Sequence, residues 1–172
     1  MRTLYIHGLD SSPRIEKINI LTNNKLVVSA LHLNYREEKN AYEKIKKAAI
    51  DTESQFIIGS SLGGFIGYWL SHELKIPCLL FNPALHYKAN FGWTIPTIKE
   101  KGCPLRLVAL GAKDEIVDPL QNWEYLNQNK DKTNQKIIQC NWLAHEIDLD
   151  SFAEIVHWAT FIVLNYYRNE IS

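Results

Sequence analysis

The sequence predicts an α/β fold with a mainly parallel sheet of about six strands and helices on both faces, in one domain over residues 1–172. Three observations carry this. Short apolar runs alternate with longer stretches of helical period along the whole chain. Several of the runs are nearly continuous in apolar residues, as strands covered on both faces must be. Between one run and the helical stretch after it stands Gly59-Ser60-Ser61-Leu62-Gly63, a Gly-x-Ser-x-Gly pentapeptide in a strand–turn–helix setting.

The elements follow in order. Strands are expected at Thr3–His7, Leu26–His32, Gln55–Gly59, Pro77–Phe81, Leu105–Leu110 and Gln135–Cys140. Helices are expected at about Arg14–Asn23, Asn40–Asp51, Leu62–Leu74, Pro119–Asn127 and Ser151–Tyr167. Ser12-Pro13 suits the start of the first helix, with Ser12 as cap and Pro13 opening it. Ser151, with Glu154 three residues on, reads as the capping box of the last. The connection from Asn82 to Gly102 has no clear period. Its part at 84–101 is either a small cap over a substrate or packed core, and its aromatics Tyr87, Phe91 and Trp93 are candidate substrate-binding residues on the first reading.

Composition excludes several functions. Nineteen basic residues balance nineteen acidic ones, so no global field draws nucleic acid or an anionic membrane. No run reaches the ~18 apolar residues of a membrane span, and Met1-Arg2 leads straight into the first strand without a signal core. Three separated cysteines, Cys78, Cys103 and Cys140, form no C-x-x-C pair and read as reduced thiols of a cytoplasmic protein. Neither a metal nor a cofactor is expected, and no Gly-Lys-Ser/Thr follows the glycines to make a phosphate loop.

In a parallel sheet, chemistry gathers at the carboxyl ends of the strands. After the third strand, Ser61 occupies a sharp turn, and a strand and helix meeting this closely leave no room for a β-carbon at Gly59 or Gly63. After the first strand comes His7-Gly8-Leu9, whose Leu9 N–H, with that of Leu62, suits an oxyanion hole. Two acids, Asp114 and Asp118, follow the fifth strand. Asp118 precedes Pro119 and has Gln121 three residues on, so it is already employed as a helix cap. Asp114 is left to orient a base. After the sixth strand, His145 is the candidate base, and the order Ser61, Asp114, His145 fits a nucleophile–acid–base triad. Of the other histidines, His7 suits bracing of the Leu9 loop, His72 and His157 lie along helices, and His32 and His86 fall outside the required order.

These residues resemble the α/β-hydrolase superfamily, and within it the small bacterial esterases of the YqiA/YcfP type. The likeness rests on LYIHGLDSSP at 4–13, IIGSSLGGFIGYWL at 57–70, LLFNPAL at 79–85 and Asp114-Glu115. It implies a minimal α/β-hydrolase lacking the leading antiparallel strands of larger members. It further implies a carboxyl-ester hydrolase with Ser61 as nucleophile, His145 as base and Asp114 as orienting acid. In one departure, Leu143-Ala144 precedes the histidine where such esterases carry Gly or Asp. The expected partner is a small or medium acyl ester. A thioesterase or acyltransferase would use the same residues, and a catalytically idle fold serving as a binding module is the alternative from another class.

Overall fold

The computed structural model describes residues 1–86, 104–128 and 134–170. Six strands are found among them: β1 (Arg2–Ile6), β2 (Val27–Ala30), β3 (Phe56–Ser60), β4 (Cys78–Phe81), β5 (Arg106–Lys113) and β6 (Gln135–Ala144). The helices are α1 (Ile15–Asn23), α2 (Ala41–Asp51), α3 (Leu62–Leu74), α4 (Pro119–Gln128) and α5 (Leu149–Glu170). The strands form one sheet in the order β2-β1-β3-β4-β5-β6, and every pairing in it is parallel. This is the minimal α/β-hydrolase architecture the sequence foretells.

Side-chain alternation along the strands builds two cores. Leu4, Ile57, Leu80 and Val108 face one side of the sheet with α2, α3 and α4 residues such as Ile45, Ile66 and Leu126. Tyr5, Ile58, Leu79 and Leu107 face the other, against Leu21 of α1 and Phe152, Val156 and Val163 of α5. Each central strand is therefore buried on both faces, which is why the alternation is invisible in its sequence. The chain steps from β1 outward to β2, then returns past β1 to lay down β3. The crevice between the ends of β1 and β3 is thus the topological switch point, where parallel sheets hold their ligands.

Two helix starts differ from expectation. The first helix begins at Ile15, with Arg14 as an extended N-cap that makes no side-chain capping bond. Residues 7–13 run as a loop beside the Ser61 turn, so Ser12 and Pro13 lie before the helix. The last begins at Leu149, because Asp148 accepts the Ser151 N–H at 2.8 Å. The Ser151 hydroxyl is engaged elsewhere, accepting a bond from Trp142 Nε1 at 3.1 Å. The sixth strand also runs four residues beyond Cys140, to Ala144. Tyr87, Phe91, Trp93 and most of the 84–101 segment lie outside the described residues; Ala84 and Leu85 are buried.

Candidate active site

Ser61 links β3 to α3 with φ 55° and ψ −117°, a conformation an L-residue holds only when its surroundings impose it. Its N–H donates to Phe81 O at the end of β4, and its carbonyl accepts the amides of Phe65 and Ala84. A β-carbon on Gly59 would lie 2.3 Å from Gly63 O, and one on Gly63 would lie 2.3 Å from Ile6 O. The two glycines thus let strand, turn and helix close around the serine. Gly8 backs the same turn, the position of its absent β-carbon being 3.3 Å from Ser61 Cβ.

His145 follows β6 directly. Its Nε2 lies 3.0 Å from Ser61 Oγ, and its Nδ1 lies 2.8 Å and 3.0 Å from the two Asp114 oxygens. With a carboxylate at Nδ1, that nitrogen carries the proton and Nε2 is the acceptor facing the serine hydroxyl. Asp114 is buried; burial alone would raise its carboxyl, but the His145 bond and the amides of Val117 and Ile116 hold it below the ordinary range. It is therefore a carboxylate at neutral pH. Asp118 instead accepts Leu120 N–H at 2.8 Å through Oδ1, the helix cap expected of it, while Gln121 Nε2–H bonds its Oδ2 at 3.1 Å and not its backbone N–H as a capping box would. The Ser61–His145–Asp114 network at the strand–helix turn is a triad consistent with serine hydrolase chemistry.

The loop after β1 is braced by His7. Leu33 N–H donates to His7 Nε2 at 3.1 Å, so Nδ1 carries the proton and donates to Gly8 O at 2.7 Å. Burial keeps this imidazole's pKa below 6.5, in keeping with a neutral ring. Tyr35 Oη–H adds a bond to His7 O at 2.9 Å. Leu9 follows this braced stretch, and Leu62 is the first residue of α3, so its N–H has no carbonyl within the helix to meet. Gly8, Leu9, Ser60, Ser61, His145 and Ile147 line one cleft of about 290 Å³. The four remaining histidines are not part of the triad: His32 meets the His7 ring edge-on, exposed His157 contacts Asn24, His86 meets the Gln121 carbonyl, and His72 is half-buried late in α3.

Sequence reasoning missed Asn82. This buried residue follows β4 with φ 41°. Its Nδ2–H donates to Ala144 O at 2.8 Å, and its Oδ1 accepts Gly111 N–H at 2.7 Å. It ties the end of β4 to β5 and to the residue before His145. An Asn directly after a strand, in a position suited to left-handed backbone, was the available signal.

A family model described as Uncharacterised protein family (UPF0227) matches residues 2–97. Among solved structures, the chain is similar to a monoacylglycerol lipase of Paleococcus ferrophilus, with 16% identity, a TM-score of 0.71, and coverage of 93% of this chain and 94% of the other. It is similar to the esterase domain of a Rhodothermus marinus protein, with 16% identity, a TM-score of 0.67, and 93% and 86% covered. It also resembles XC6422 of Xanthomonas campestris, an α/β serine hydrolase without a lid, with 14% identity, a TM-score of 0.66, and 93% and 80% covered. At these identities the likeness is one of fold.

Proposed function

The chain belongs to the UPF0227 family, and we propose that it hydrolyses carboxylic esters of small to medium acyl groups through an acyl-enzyme. The single observation that carries the reading is the unbroken line of hydrogen bonds from Asp114 through His145 to Ser61 Oγ. Ser61 Oγ attacks the acyl carbonyl as its proton passes to His145 Nε2, and Asp114 steadies the imidazolium that forms. The oxygen that becomes negative is held by the Leu9 and Leu62 amides, a contribution of roughly 3 kcal/mol per donor in comparable sites. The tetrahedral intermediate then breaks its bond to the alcohol oxygen, which takes the proton from His145. Water, deprotonated by the same nitrogen, attacks the acyl-Ser61 ester, and collapse of that second intermediate releases the acid and restores the serine.

The modest cleft supports the small-to-medium acyl range. Contact of Tyr87, Phe91 and Trp93 with the acyl chain is part of the proposal and is carried by the sequence alone. Cys140, a buried and free thiol, supports a reducing, cytoplasmic setting. No helix among the described residues is long and apolar enough to cross a membrane.

The test is Ser61→Ala. It is expected to lower turnover of p-nitrophenyl esters by about 10⁶-fold and to abolish labelling by a fluorophosphonate probe. Labelling that persists in the variant would refute the assignment.

A further inference from the structure

Resting on the ester-hydrolase reading above, we propose that the substrate carries an anionic group, a carboxylate or a phosphate, that binds Lys17 in the cleft beside Ser61. Lys17 lies on α1 and lines the same cleft as Ser61 and His145. It is 93% buried, since only 7% of its surface is exposed. Its Nζ lies 5.0 Å from the centroid of the Phe152 ring. Among the described residues it makes no side-chain hydrogen bond, and no carboxylate oxygen approaches within 4.0 Å.

Of the nearby carboxylates, Glu146 and Asp148 act on Lys17 through space but make their direct bonds elsewhere. Asp10, which also lines the cleft, accepts from Arg36 Nε at 2.8 Å and Nη2 at 2.6 Å. Glu146 pairs with Arg14 at 3.1 Å. Asp148 is occupied at the start of α5, where it accepts the Ser151 amide. What remains is one ammonium with three donors, facing a cleft that contains the reactive serine. The stem is buried while Nζ keeps its exposure at the cleft. Burial is the largest influence on its pKa, which is lowered, with Arg14 adding to the effect and Glu146 and Asp148 opposing it. An oxyanion in the cleft would accept from Nζ and be read by charge, while the rest of the substrate presents its carbonyl to Ser61. A purely structural lysine, satisfied by the Phe152 ring, would give no such selectivity.

Two matched substrate pairs test this, one for each source of the anion. The carboxylate pair is mono-p-nitrophenyl glutarate against p-nitrophenyl valerate. The phosphate pair is butyryl glycerol 3-phosphate against monobutyrylglycerol. The native protein is expected to favour the anionic member of at least one pair, and Lys17→Met to reduce that ratio of kcat/KM by roughly 10- to 100-fold, the range of a charged hydrogen bond. Lys17→Arg, which keeps the charge, should retain most of the preference. The proposal is overturned if neither anionic ester is preferred by the native protein, or if Lys17→Met leaves the ratio unmoved. Should Lys17→Met not fold, the native preference and the Lys17→Arg ratio decide. Failure of the underlying hydrolase reading looks different: no ester in either pair is turned over and the fluorophosphonate probe does not label Ser61.

Discussion

Replacing Asn82 by alanine probes how the catalytic histidine is held. The substitution leaves the buried Gly111 N–H without the acceptor now 2.7 Å away, a loss of about 1–3 kcal/mol. It also removes the 2.8 Å bond to Ala144 O, about 1 kcal/mol net. Alanine must then hold φ 41°, which costs about 1–2 kcal/mol for a residue with a β-carbon. Together these come to roughly 3–6 kcal/mol, a large part of the ~5–15 kcal/mol that keeps a domain folded. Urea unfolding followed by circular dichroism measures the loss, and a fall in Tm on the order of 10 °C should accompany it. Asn82→Gly accepts the positive φ without the β-carbon clash and so isolates the hydrogen-bond part. Because Ala144 is bonded to His145, freeing its carbonyl should also displace the imidazole, and a shift near 1 Å lowers turnover by about 10²-fold. An Asn82→Ala protein within about 1 kcal/mol of native stability and with native kcat would refute the reasoning.

The two aspartates after β5 should separate cleanly. Asp114→Asn is expected to cut kcat by about 10⁴-fold, because an amide facing Nδ1 cannot stabilise the imidazolium. Asp118→Asn should retain most activity, since Asn caps a helix about as well as Asp; steady-state kinetics on both variants would expose a reversed assignment. Acid should weaken the fold through His7, whose pKa in the folded state lies below its ordinary 6.5. Between those two values the unfolded chain binds a proton that the folded protein refuses, so stability present above pH 6.5 is lost as pH falls toward the folded value. His7→Gln can keep an acceptor for Leu33 N–H without titrating there; its Tm should be lower at neutral pH but flatter from pH 7 to 5, and an unchanged slope would exclude His7 as the source.

What the sequence by itself determined is what local chemistry dictates. Gly59 reports a steric closeness to Gly63 within five residues, so the serine turn is legible locally, whereas the need for glycine at 63 comes from the backbone of β1 at Ile6 and His7. Asp118, Pro119 and Gln121 form a cap from neighbouring atoms alone, which is why one acid could be set aside and the other retained. Strand order along the chain, with chemistry after each carboxyl end, then brought Ser61, Asp114 and His145 into one frame. Tertiary structure decided everything that depends on partners far apart in the chain. The last helix starts at Leu149 because Trp142 claims the Ser151 hydroxyl and Asp148 takes the amide. The importance of Asn82 arises from carbonyl and amide groups 62 and 29 residues away, and the bracing by His7 from an amide 26 residues away. Lys17 reads as an ordinary polar position on an amphipathic helix until folding buries it in the cleft that Ser61 lines, with no carboxylate in ion-pair contact. Hydrogen bonding and burial are settled by three-dimensional proximity, and periodicity along a chain records only which face of an element a residue occupies.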